Sequence, residues 1–105
     1  TLLRAVEAME RHLIEPLSKE ALAEEACTSV CHLERLFRQH LDDTPSRYYR
    51  TVRLEHARSL LLQTRLSTTE ISLACGFNSS AHFSRVYRAQ FGRSPAEERK
   101  RLQEA

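Results

Sequence analysis

The chain has no tryptophan, only two glycines and three prolines among its 105 residues, and no run of β-branched residues. Strands and hairpins draw on the residue types that are scarce here, so the composition points to an all-α fold. The longest purely apolar run is Leu60-Leu61-Leu62, far short of the roughly 20 residues that a membrane-crossing helix needs. Nothing resembles a secretory leader. Three cysteines, an odd number without framework spacing, point to reduced thiols and a cytosolic setting. Also missing are a glycine-rich phosphate loop, a nucleophile elbow and a carboxylate pair for acid–base work, which leaves an enzyme without a basis. Asp42-Asp43 reads as a turn ahead of a helix cap, not as a catalytic dyad. The chain opens at Thr1 inside a helical pattern, as a piece of a larger protein would.

What is present is a repeat around a rod. Thr44 to Thr64 reads TPSRYYRTVRLEHARSLLLQT, with a cap at Thr44, Pro45 in the first turn, and no later Gly or Pro. Such a helix spans roughly 30 Å. Before it stands Ser29-Val30-Cys31-His32-Leu33-Glu34-Arg35-Leu36-Phe37-Arg38, then Thr44-Pro45. After it stands Ser79-Ser80-Ala81-His82-Phe83-Ser84-Arg85-Val86-Tyr87-Arg88, then Ser94-Pro95. Each position of the second set lies 50 residues after its partner. The expectation is one domain over 1–105, with a first helix-turn-helix unit at 18–43, a connecting helix at 44–64 and a second unit at 67–93. Neither unit can bury its core alone, so the long helix is expected to pack against both and fix their separation.

Taken in order, apolar Leu2, Leu3, Val6, Met9, Leu13 and Ile14 predict an amphipathic helix over 2–15, ending before Pro16. Ser18 caps a second helix through Ala26, with Leu22, Ala23 and Ala26 inward. A third, from about Val30 to Leu41, buries Leu33, Leu36 and Phe37 and leaves Cys31, Glu34, Arg35 and Arg38 outward. Two short helices joined tightly, the second basic on its free face, make a helix-turn-helix candidate. In the long helix, Tyr48 or Tyr49, Val52, Ala57, Leu60 and Leu61 form the buried stripe, with Arg47, Arg50, Arg53 and Arg58 in water. Ser67 to Glu70 has capping-box spacing, with Ile71 and Ala74 following and Cys75 in the core. Ser79 caps a sixth helix that buries Phe83, Val86 and Tyr87 and stops at Gly92. Ser94 to Glu97 opens the seventh, again with capping-box spacing. Gly76 and Gly92 fall where left-handed residues are wanted; in the first copy Cys27 and Asp42 stand there, so its turn is expected to be strained.

Charge is unevenly spread. Residues 1–27 carry a net −3, residues 28–93 a net +5, and residues 94–105 balance. Positive charge on the repeated unit and its connector fits a nucleic-acid footprint, and a solvated helix surface stays open as the plainer reading.

The residues Leu22-Ala23 to HLERLFRQH, the connector TPSRYY–RLEHARSLLLQT and EISLACGFNSSAHFSRVYRAQFGRSP together resemble the C-terminal DNA-binding domain of AraC/XylS-type transcription regulators, over roughly 18–97. The phrase HLERLFRQHLDDTPSRYYRTVRLEHARSLLLQT also looks like the subgroup whose N-terminal part resembles a glutamine amidotransferase domain. The resemblance implies seven helices in two homeodomain-like units, and sequence-specific binding of double-stranded DNA with two recognition helices in successive major grooves. It also implies RNA polymerase as a partner, dimerisation and effector binding by an N-terminal part, and a bacterial cytoplasmic, nucleoid-associated setting. Matched by helix position, the first unit would present Cys31, Glu34 and Arg35 to bases, and the second Ser80, Ala81, Ser84 and Arg85.

The side-chain chemistry is compatible. Arg35 and Arg85 can each fork onto guanine, Glu34 can accept from cytosine, Ala81 can touch a thymine methyl, and Ser80 and Ser84 bond several bases. Arg38, Arg47, Arg50, Arg53, Arg88 and Arg93 suit phosphates, which position without reading sequence. Ser29 and Ser79, at helix N-termini, can add backbone N–H groups there. Glu34 could instead orient Arg38. His32 and His82, beside Leu33 and Phe83, suit a structural or phosphate-contacting role. Cys27, Cys31 and His32 lack the second Cys/His pair that a zinc finger needs, so neither metal nor cofactor is expected. A helical protein-interaction module is the competing function, and it requires an exposed apolar patch where these faces are basic.

Overall fold

The computed structural model describes the backbone of residues 1–104 and the side chains of residues 1–101. Ala105, the last residue of the expected domain, lies outside the described residues. The described residues form seven helices and no strand: α1 (Leu2–Arg11), α2 (Lys19–Glu25), α3 (Val30–Leu41), α4 (Pro45–Gln63), α5 (Thr68–Ala74), α6 (Ser80–Phe91) and α7 (Pro95–Glu104). The chain divides between Val52 and Arg53, inside α4.

In the first unit Ala5, Ala8 and Met9 of α1 meet Leu22, Ala23 and Ala26, with Leu33 and Phe37 of α3 and Tyr49 of α4 completing the core. Tyr49 is the buried member of the tyrosine pair, while Tyr48 packs its half-buried ring edge-on against Phe37 at 5.5 Å. α1 is shorter than the 2–15 periodicity predicts, and Ile14 is left 69% exposed. Pro16 accounts for this. It has no N–H to offer the His12 carbonyl four residues back, and it disfavours helical geometry at Glu15. The Tyr49 hydroxyl donates to that His12 carbonyl instead, and accepts from the Leu17 N–H at 3.0 Å.

In the second unit Leu54, Ala57 and Leu61 of α4 pack with Ile71, Cys75, Phe77, Phe83 and Tyr87. Leu54 is a core residue that the expected stripe omits, whereas Val52 and Leu60 are only half-buried. Arg53 also departs from expectation. It is half-buried rather than wet, donates from Nε to the Cys75 carbonyl at 2.9 Å and from Nη2 to the Gly76 carbonyl at 3.0 Å, and stacks 4.2 Å over Phe77. Those two carbonyls lie at the unsatisfied C-terminal end of α5, where a cation is favoured.

Capping follows the sequence closely. Ser18, Ser29, Ser67 and Ser79 each accept from the backbone N–H three residues on, and Ser67 with Glu70 forms a reciprocal capping box. Ser94 caps α7 through the Glu97 N–H at 3.2 Å, but the Glu97 carboxylate lies towards Arg88, at 3.9 Å, so only half of the expected box is seen.

The two turns between paired helices have one hydrogen-bond pattern. Cys27 N–H donates to Glu24 and Thr28 N–H to Ala23; Gly76 N–H donates to Leu73 and Phe77 N–H to Ser72. This is the Schellman arrangement, which needs a left-handed residue after the helix. Cys27 has φ +56° and Gly76 φ +81°. Asp42, at φ +50°, likewise stands where Gly92 has φ +83°. A Cβ in this region costs about 1–2 kcal/mol, least for Asn and Asp. Replacing Cys27 by Gly should therefore leave stability unchanged or raise it, because relief of strain offsets the greater freedom of the unfolded chain. Gly76→Ala should cost about 1–2 kcal/mol. Urea unfolding of both variants decides this, and a clear loss in Cys27→Gly would contradict it.

Candidate nucleic-acid interface

α3 and α6 are built alike. Ser29 accepts from the His32 N–H at 3.1 Å and Ser79 from the His82 N–H at 3.3 Å, which sets each helix start. Inward, Leu33 and Phe37 face one core, and Phe83 and Tyr87 the other. Helical spacing then directs Cys31, Glu34, Arg35 and Arg38 outward from α3, and all four are exposed. On α6 the outward set is Ser80, Ala81, Ser84, Arg85 and Arg88, exposed except for the half-buried Ser84.

The electrostatics separate two groups of arginines. Arg35, Arg38, Arg50 and Arg85 are exposed and, among the described residues, make no ion pair or side-chain hydrogen bond. The Glu34–Arg38 pairing weighed from the sequence does not form among them either. Arg47 lies 3.7 Å from the half-buried Asp43, and Arg88 approaches the exposed Glu97; both arginines are exposed, and such surface pairs contribute little and exchange readily. Arg53 and Arg93 differ from the other expected phosphate partners, because both are half-buried where the protein engages them. Arg53 holds the α5 terminus, and Arg93, 32% exposed, lies 3.4 Å from Glu98. Ser29 and Ser79 accept at their hydroxyl oxygens as caps, and their O–H groups, with backbone N–H groups of the helix starts, are left to donate to an anion. His32 and His82 are exposed next to the core, and the His82 ring lies 6.1 Å from Phe77. No group of three metal-ligating side chains gathers among the described residues.

With this geometry, comparison with known proteins is informative. A helix-turn-helix domain family matches residues 22–101. A transcriptional regulator from Chromobacterium violaceum, described as containing an AraC-type DNA-binding domain, superposes with a TM-score of 0.93 at 48% identity, over 96% of this chain and 90% of that one. The chain belongs to the AraC-type helix-turn-helix family. The DNA-binding domain of AdpA, solved in complex with a target DNA, matches with a TM-score of 0.90 at 31% identity, over 97% of this AraC-type chain and 92% of that one. The HTH-type transcriptional regulator CdhR of Pseudomonas aeruginosa is 52% identical over 93% of the chain, which spans 29% of that protein's length. The chain thus corresponds to under a third of this curated relative.

Sequence reasoning missed four residues that set the geometry: Tyr49 as a strap, Arg53 as a turn clamp, Glu98 as a buried charge, and Arg99. Arg99 donates to the Leu66 carbonyl and, from Nη2, to the Thr64 carbonyl at 3.3 Å. A signal did exist. The repeat extends beyond the motifs quoted above, so that Tyr49 pairs with Arg99, Tyr48 with Glu98 and, one residue out of step, Arg4 with Arg53.

The three thiols are unlike one another. Cys27 and Cys31 are exposed, and Cys27 Sγ accepts from Arg4 Nη1 at 3.1 Å. Cys75 is buried, and burial pushes its thiol from 9.0 up to about 11, with Arg53 opposing slightly. A raised pKa favours the folded state fully below pH 9.0, and this advantage is lost as pH rises through about 11. Near neutral pH a thiol reagent should modify Cys27 and Cys31 in the folded chain and leave Cys75 intact until denaturant is added. Mass spectrometry of the timed reaction reads this, and equal rates at all three sites would contradict the burial of Cys75.

Proposed function

We propose that this chain is the sequence-specific, double-stranded-DNA-binding part of a bacterial transcription regulator, with α3 and α6 entering successive major grooves. The observation that carries it is the repeated exposed helix face, basic in both copies, whose arginines Arg35 and Arg85 have no partner among the described residues. The residues 18–43 and 67–93 are then the helix-turn-helix units, and 44–64 the connector. α4, at 19 residues, is about 28 Å long, comparable to the 34 Å of one DNA turn. Cys31, Glu34 and Arg35 read bases from one unit, and Ser80, Ala81, Ser84 and Arg85 from the other. Arg38, Arg47, Arg50 and Arg88 bind phosphates, with His32, His82 and the helix starts at Ser29 and Ser79 assisting. The chain performs no catalysis in this reading. RNA polymerase contact, effector binding and dimerisation belong to the whole regulator, which works in the bacterial cytoplasm at the nucleoid. The competing protein-interaction module needs large apolar outward faces on α3 and α6, and these expose mainly charged and small side chains instead.

Arg85→Ala should cost about 1–3 kcal/mol on the preferred duplex and relax preference at one base position. Arg50→Ala should weaken all duplexes evenly and make the salt dependence shallower by about one phosphate. Binding curves on preferred and scrambled duplexes at several salt concentrations separate the two. Equal loss on both duplexes for Arg85→Ala would remove its base-reading role, and no binding to either by the unaltered chain would remove the function.

A further inference from the structure

Glu98 on α7 is a carboxylate only 2% exposed. Its Oε1 lies 2.9 Å from Arg58 Nε on α4, its Oε2 lies 3.4 Å from Arg93 Nη1, and the Tyr87 hydroxyl of α6 donates to Oε1 at 3.4 Å. Burial and this negative neighbour push the Tyr87 hydroxyl well above its ordinary value, so it stays a donor. A buried carboxylate is costly unless charges and donors surround it, as they do here. The first unit shows that packing alone does not require one. At the matching position it has Tyr48, set edge-on against Phe37, the counterpart of Tyr87. The charge in the second unit therefore needs a reason of its own.

That reason lies in the two arginines. Arg58 is half exposed and stacks 5.0 Å from the Phe91 ring, while Arg93 follows the end of α6 and is one-third exposed. Without a counter-ion Arg58 would keep its place on the Phe91 ring, but Arg93 would sit at the end of the recognition helix as a cation able to hold any phosphate, whatever the sequence. We propose that Glu98 is a specificity-setting positioning residue: through Tyr87 it fixes α6 against α7, and by pairing with Arg93 it withholds that arginine from DNA phosphate. This rests on the DNA-binding function proposed above. The three charged groups together carry a net +1, so removing the carboxylate charge should convert discrimination into indiscriminate affinity.

The test uses Glu98→Gln, which keeps the shape and an acceptor for Tyr87, and the double variant Glu98→Gln/Arg93→Gln. Both are compared with the unaltered chain on a duplex selected from random DNA and on its scrambled counterpart, with folded fraction read by circular dichroism. Glu98→Gln should tighten binding to the scrambled duplex, lower the preference ratio, and steepen the slope of log affinity against log salt by about 0.9. Relative to the unaltered chain, that is a change of about 3.5-fold between 50 and 200 mM salt. The double variant should return the slope to its original value. Weakening of both duplexes at an unchanged slope, or a double variant that stays steep, overturns the proposal. Should Glu98→Gln not fold, Arg93→Gln alone decides: an unchanged slope supports the withheld arginine, and a slope shallower by about 0.9 refutes it. An unaltered chain that binds neither duplex refutes the DNA-binding function itself, an outcome distinct from these.

Discussion

The Tyr49 hydroxyl donates to the His12 carbonyl and accepts from the Leu17 N–H, and through these bonds the helix after α3 grips the chain just before α2. The carbonyl is available because Pro16 cannot serve it, so the break in α1 and the strap are one event. A helix-turn-helix pair is two short helices, of 7 and 12 residues here, too short to be stable in isolation. The direction of α3 therefore depends on what holds its neighbours. With the strap, α1 and the first turns of α4 close around Leu33 and Phe37, and Cys31, Glu34 and Arg35 are left outward by helical geometry.

The second unit meets the same need with different chemistry. Arg99 takes the place of Tyr49, and its guanidinium donates to the Leu66 and Thr64 carbonyls just before α5. Arg53 takes the place of Arg4. It holds the carbonyls of the turn at Gly76, whereas Arg4 donates to the Cys27 thiol. The second turn thus combines glycine with a two-carbonyl clamp, and the first has a left-handed cysteine and a weak sulfur acceptor. By this comparison the first unit is the more strained and the second the more highly charged inside. The shared backbone pattern at both turns shows that the geometry, not the side chain, is what both units preserve.

Much of this was legible in the sequence, and the part that was not has a physical pattern. Serine caps, apolar spacing and left-handed positions are local, so the roles of Ser29, Ser79, Gly76 and even the awkward Cys27 are legible from the residues around them. The strap and the clamps join residues 22 to 37 positions apart, and the buried carboxylate of Glu98 gathers Tyr87 of α6 and Arg58 of α4, and such pairings leave no local periodicity. An arginine stripe on a long helix reads as wet by default, and nothing local sets Arg53 apart from its neighbours in the stripe. Leu54 escaped because α4 serves one core with Tyr49 and another with Leu54, Ala57 and Leu61, so no single stripe runs its length. The outward faces of α3 and α6 were legible because they are what the inward residues leave over.

The central claim is that one chain carries two copies of the same reading device, both used on one DNA. Hydroxyl-radical footprinting of the chain on a duplex selected from random DNA tests it most directly, with stoichiometry measured on the same duplex. One bound chain should protect two segments centred about 10–10.5 base pairs apart, the spacing of successive major grooves on one face. A single protected segment, or two segments that appear only when two chains are bound, would contradict it.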